Sequence, residues 1–201
     1  DEPLEFAAGD HVKKAMMIEL LPDSIDTLRD HFDDRRYGRI PKNSLCALGS
    51  ATNIDPSRAP EGKATMHAWD YCPYEHPDGG AQAWDDHKEA FAENMIANMQ
   101  PYVPNLSRDI IPAWHCDSPL DMERTSASFQ RGDIHGVAPY MYQFGAHRPT
   151  AELGKNVVPG IDRLYLVGPF QHPGGGVFGA GRGTAITMFD EMGMDFDAVI
   201  K

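Results

Sequence analysis

The sequence predicts an α+β chain, a mostly antiparallel sheet with covering helices followed by a strand, a glycine turn and a helix from a different layer. Three observations carry this reading. Two helical patterns, at residues 24–38 and 82–100, interrupt short apolar runs bounded by proline and glycine. Residues 125–159 are poor in periodicity and rich in Gly, His and aromatic side chains. The apolar run 164–167 then closes on Gly168, and six of the fifteen residues from Pro169 to Gly183 are glycine. The expected division of the chain is therefore residues 1–158 and residues 159–201.

The elements follow in order. Residues 12–21 carry an apolar run that ends at Pro22, which predicts a buried strand. Asp23 and Ser24 make a good helix start, with Asp26 favourable to the dipole in the first turn. Ile25, Leu28 and Phe32 fall on one face, and Gly38 ends the helix. Residues 43–50 and 63–69 read as strands around a turn-rich excursion marked by Asp55-Pro56 and Pro60-Glu61-Gly62. In the second helix Trp84, Phe91, Met95, Ile96 and Met99 form an apolar stripe, and Pro101 stops it. Residues 109–116 read as a further strand. The long irregular stretch after residue 125 points to function rather than idle connection.

Composition excludes several classes of partner. The 201 residues are 41% hydrophobic and 24% charged, with a formal net charge of -12. That balance argues against phosphate backbones and nucleic acid. No apolar stretch approaches the ~20 residues of a membrane-spanning helix. Cys46, Cys72 and Cys116 form no C-x-x-C pair and read as reduced thiols of a cytoplasmic protein. His115-Cys116 lacks zinc-ligand spacing, so no metal site is expected.

The glycine turn carries the chemistry. Each glycine costs backbone entropy, so this density implies that something large comes close to the main chain. Strand, glycine turn and helix together let N–H groups and a helix N-terminus approach an anionic or electron-rich ligand. Neither a P-loop nor a G-x-G-x-x-G spacing is present, so the element that would hold a dinucleotide's adenosine end is missing.

A series of motifs occurs in fixed order: Pro119 to Arg124, Gly132-Asp133-Ile134-His135-Gly136, Arg148-Pro149, the run 164–168, and His172 to Val177. With the upstream stretch from Asp55 to Lys63, this series resembles the C-terminal half of the phytoene desaturase-like flavoprotein oxidoreductases. Within them it is most similar to the pyridine nucleotide-disulfide oxidoreductase domain-containing type. The chain departs from that pattern at Pro169-Phe170-Gln171 and Arg182-Gly183, and it begins at Asp1 without the family's G-x-G-x-x-G. The expectation is the C-terminal portion of a longer flavoenzyme.

The resemblance implies that residues 1–158 are a partial substrate-binding domain and residues 159–201 the C-terminal segment of an FAD-binding α/β domain. It places Gly168, His172, Pro173, Gly174, Gly175, Gly176, Val177 and Gly179 at the FAD, which binds only together with the missing N-terminal half. Tyr140, Tyr142 and Phe144 are suited to walling a tunnel for a small hydrophobic, carotenoid-like or polyene substrate, or equally to ordinary core. The implied chemistry is dehydrogenation or redox-assisted isomerisation; no catalytic residue is assigned. His135, His147 and His172 read as hydrogen-bonding braces, Arg148 as the partner of a carboxylate, and Asp121, Glu123 and Arg124 as an ion-pair network. The resemblance further implies peripheral membrane contact of the full-length protein. The exposed apolar edge at 164–167 implies self-association of this chain alone. The alternative is a non-catalytic binding or assembly module derived from the substrate domain.

Overall fold

In the computed structural model the described residues are 2–138, 140–172, 174 and 179–200. They form two compact units, Asp1–Leu120 and Asp121–Lys201. In the first, a three-stranded antiparallel sheet is flanked by helices, an α+β arrangement. Its strands are β1 (Ile18–Glu19), β2 (Ala47–Gly49) and β3 (His67–Trp69), in the order β1-β2-β3. Ile18 faces Leu48 across the first ladder, and Leu48 faces Ala68 across the second. Gly49 is required by close approach, since a Cβ there would lie 2.7 Å from the Met16 carbonyl oxygen.

Helix α1 (Ile25–Arg36) starts as its sequence demands. The Ser24 hydroxyl accepts the Thr27 N–H at 3.1 Å, and the chain leaves the helix through Gly38 at φ +69°. The orientation of α1 is set by a polar residue. Ile25 and Phe32 are exposed, and the buried residue of the helix is His31. Its Nδ1–H donates to the Asn43 carbonyl at 2.8 Å, so a polar contact, not the apolar face, attaches α1.

Helix α2 (Trp84–Met99) supplies the apolar layer. Met95, Ile96 and Met99 pack with Leu4, Phe6, Leu20, Cys46, Leu48, Val103 and Leu106 in one core. Trp84 heads a second cluster with Ala81 and Leu120, and its indole N–H is shared between the Pro73 and Tyr74 carbonyls at 3.2 and 3.0 Å. The strand expected at residues 109–116 does not form. Pro112 has no N–H for a ladder, and the chain instead makes a 3-10 turn over Arg108–Ile110. The expected strand 12–21 shrinks to β1, preceded by a 3-10 turn at Asp10–Lys14.

Three short helices complete the chain: α3 (Pro119–Thr125), α4 (Gly179–Glu191) and α5 (Phe196–Val199). The run 164–167 is not a buried strand. Val157 and Tyr165 form an isolated bridge, the Leu166 N–H donates to the Asn156 carbonyl at 2.8 Å, and Leu164 and Val167 are exposed. The stretches on either side of residue 158 are thus joined as a tight hairpin. Among the described residues, no helix is long and apolar enough to cross a membrane.

Asp70, at the exit of β3, ties the first unit together. Its carboxylate accepts the Ser44 hydroxyl at 2.6 Å, the Leu45 N–H at 3.2 Å and the Tyr71 N–H at 2.6 Å. It lies 3.8 Å from His31 Nε2, with both side chains buried. Asp70→Ala should cost roughly 2–4 kcal/mol, because three donors, two of them part-buried, lose a charged acceptor whose side chain is buried. Urea unfolding followed by circular dichroism would read this loss, and an unchanged midpoint would contradict it.

Candidate functional site

The glycine turn and its supports lie in the second unit. Gly168, at φ +154°, lets the chain fold back on Phe170, whose ring would stand 2.6 Å from a Cβ at that position. The Gln171 N–H then closes a turn on the Gly168 carbonyl at 3.1 Å. Beneath it lies Arg148, which is buried. Its Nη2 donates to the His135 carbonyl at 3.0 Å and to the Pro169 carbonyl at 3.1 Å, where Nε also donates at 3.3 Å. Arg148 therefore holds main-chain carbonyls, which corrects the expected carboxylate partner.

Gly174 passes over this guanidinium at φ +83°, and a Cβ there would lie 2.6 Å from Arg148 Nε. The glycine is required by the arginine as well as by the left-handed backbone. The first residues of α4 are fixed by another polar contact. Asn156 Nδ2 donates to Thr184 Oγ1 at 2.8 Å, and that hydroxyl lies 2.9 Å from both the Leu166 and Ala180 carbonyls.

One buried group stands apart. Gln171 is 0% exposed, yet among the described residues neither its amide oxygen nor its amide nitrogen has a hydrogen-bond partner. A buried amide of this kind costs about 1–3 kcal/mol unless something completes its bonding. The sequence marks Gln171 only as a departure from the resembled pattern, and burial shows what the departure does.

The other residues marked by the sequence are dispersed. Gly168 and Gly174 lie in the turn, Gly179 opens α4, and His172 is exposed. Pro173, Gly175, Gly176 and Val177 lie outside the described residues. Tyr140, Tyr142 and Phe144 are exposed, and the two tyrosine rings stack with centroids 5.6 Å apart and planes 12° from parallel. His147 is exposed, and half-buried His135 contributes its carbonyl to Arg148. Arg124 pairs with Asp121 at 3.4 Å, and Glu123 accepts the Arg131 N–H at 2.8 Å.

In the first unit, burial, followed by the nearby Asp70 carboxylate, pushes the Cys46 thiol up to about 12. Burial likewise holds Cys72 at about 12. Neither is a nucleophile at neutral pH. His115 pairs with Asp117 at 2.9 Å, while the Cys116 thiol points to the Lys88 carbonyl at 3.5 Å. A cluster that no sequence spacing announces is His76, Asp78 and His87, brought together where α2 begins. Burial, and next His87, hold the His76 imidazole below its usual range against the pull of Asp78.

Two outcomes follow from this geometry. Gly174→Ala should destabilise the chain by about 1–3 kcal/mol, and by less in an Arg148→Ala background where the clash is gone. Equal losses in both backgrounds, measured by thermal unfolding, would remove Arg148 as the cause. In a Cys116→Ser chain at pH 8, iodoacetamide should alkylate Cys46 and Cys72 only after unfolding, because the native thiols stay protonated. Mass spectrometry of the native sample reads this directly.

No family model matches the chain. It is 28% identical over 191 residues to pyridine nucleotide-disulfide oxidoreductase domain-containing protein 2 of Rattus norvegicus, covering 92% of this chain and 32% of that protein. The Mus musculus protein of the same name is 30% identical over 172 residues, covering 83% and 29% respectively. The 4,4'-diapolycopen-4-al dehydrogenase of Metabacillus indicus is 31% identical over 125 residues, covering 62% and 23%. The chain thus spans less than a third of the length of these relatives, and through them it is related to oxidoreductase-domain proteins.

Proposed function

We propose that this chain is the C-terminal, mainly substrate-side portion of an FAD-dependent oxidoreductase acting on a hydrophobic unsaturated substrate. One observation carries the reading: the second unit buries polar groups and exposes apolar ones. Among its described residues the buried set is Ala180 with Arg148, Asn156, Gln171 and Thr184. Tyr140, Met141, Tyr142, Phe144, Ile161 and Val167 meanwhile each lie more than half exposed. A self-sufficient unit does the reverse. Such a surface needs a cover, and similarity to oxidoreductases three times as long supports the rest of such an enzyme as that cover.

The residues present fit a flavin in two respects. The amide of Gln171, for which the described residues offer no partner, carries both a donor and an acceptor, as the edge of a flavin's pyrimidine ring requires. Gly168 and Gly174 keep the main chain bare, and with Pro173, Gly175, Gly176, Val177, His172 and Gly179 they make up the stretch assigned to the cofactor. Bound FAD would supply the two-electron acceptance that dehydrogenation needs. The chain's own contributions are positional. Arg148 braces the turn through the His135 and Pro169 carbonyls. Tyr140, Tyr142 and Phe144 would wall the substrate once covered, in a partial substrate domain spanning residues 1–158, with residues 159–201 completing the cofactor domain.

Flavin titration tests this reading. The chain alone should show no saturable FAD binding and should self-associate in sedimentation velocity through its exposed apolar surface. A longer form carrying a preceding G-x-G-x-x-G segment should bind one equivalent of FAD. Gln171→Leu in that form should weaken binding about tenfold, the equivalent of one hydrogen-bonded group. Tight stoichiometric binding by the chain alone would refute the claim that half the site is missing.

A further inference from the structure

We propose that His76, Asp78 and His87 form a binding site for a divalent transition-metal cation of the zinc class. The site lies wholly in the first unit and is independent of the flavin reading. One ligand atom from each residue lies within 4.8 Å of the other two. His76 Nδ1 is 3.9 Å, and His87 Nε2 4.0 Å, from the same Asp78 oxygen. Coordination at zinc–ligand distances near 2.1 Å would draw such atoms to roughly 3.3 Å apart. The contraction needed is roughly 0.6–0.7 Å toward Asp78 and at most about 1.5 Å between the two imidazoles, and the side chains free to make it are the outer ones. The Asp78 side chain is 67% exposed and that of His87 42%, whereas that of His76 is 6% exposed.

His76 is the fixed member. Its ring stands edge-on to Trp84 with centroids 4.9 Å apart, and its carbonyl accepts the Gly80 N–H at 2.9 Å. Trp84 is itself pinned by two carbonyls. The Asp78 N–H donates to His76 Nδ1 at 3.2 Å, so this nitrogen carries the unshared pair and faces the carboxylate. A cation here replaces that long hydrogen bond. His87, on the first turn of α2, stacks on His76 with centroids 4.2 Å apart and planes 21° from parallel. Convergence of both nitrogens requires His87 to turn about its own side-chain torsions, which its exposure permits.

The donor set selects the cation. Two imidazoles and one carboxylate suit Zn2+, Co2+, Ni2+ or Cu2+, whereas Ca2+ and Mg2+ favour oxygen ligands. Both imidazoles also line a cavity of about 370 Å3 with Ile40, Pro41, Lys42 and Trp84, which gives an entry path. Three protein ligands leave the remaining coordination position open to water. The cation would clip the loop at residues 76–80 to the start of α2.

Calorimetric titration of the untagged, chelator-treated chain with zinc chloride tests the site. The expected result is one equivalent bound, with affinity falling at least tenfold in both His87→Ala and Asp78→Asn. Both replaced side chains are exposed, and metal-free circular dichroism checks that the variants fold. Cobalt(II) gives a second readout, a visible absorption band of the bound ion that His87→Ala should abolish. Absence of stoichiometric zinc binding, or undiminished binding in the two variants, overturns the proposal. The second result would place the zinc elsewhere, for example at His115 and Asp117.

Discussion

The buried carboxylate of Asp70 is the contact on which the first unit depends. Its sheet has strands of two and three residues, too few ladder bonds to hold helices and long connections in place. A desolvated carboxylate must be surrounded by donors. Asp70 draws in Ser44 and Leu45 ahead of β2 and Tyr71 after β3. His31 of α1 lies against the same group. The polar demand of one side chain thereby decides where the helix sits, and the apolar residues Ile25 and Phe32 are left outside.

Polar anchors organise the second unit too, with less apolar support. Arg148 gathers the carbonyls of His135 and Pro169, and Asn156 with Thr184 ties the hairpin to α4. The same principle explains why the glycines stand where they do. Gly174 clears the guanidinium, and Gly168 clears the Phe170 ring. Gln171 is the exception, a buried amide for which the described residues offer no partner. The flavin proposal is built on that exception and on the unit's exposed apolar surface.

Much of the helical structure was legible because its signals are local. Ser24 with Gly38, and the stripe on α2 ahead of Pro101, state a start, a stop and a face within a few residues. Strands were less legible. The runs at 12–21 and 109–116 had strand-like composition, but pairing depends on distant partners, and Pro112 removed a donor from the second. The run 164–167 looked buried because it is apolar. Its neighbours supply one bridge and leave Leu164 and Val167 in solvent. At the candidate site, neither the function of Arg148 nor the unmet bonding of Gln171 was legible, because both depend on partners distant in the chain.

By itself the sequence determined the α+β class, the helix on which the main core is built, and a high glycine density with no dinucleotide fingerprint between residues 168 and 183. Each of these is a property of neighbouring residues or of composition. Only the tertiary structure decided that His31 rather than an apolar stripe attaches α1 and that Arg148 braces carbonyls rather than a carboxylate. It alone gathered His76, Asp78 and His87 at one point. The physical reason is common to the first two. The cost of burying a polar group depends on which partners the fold brings within about 3 Å, and those partners come from residues far apart in the chain.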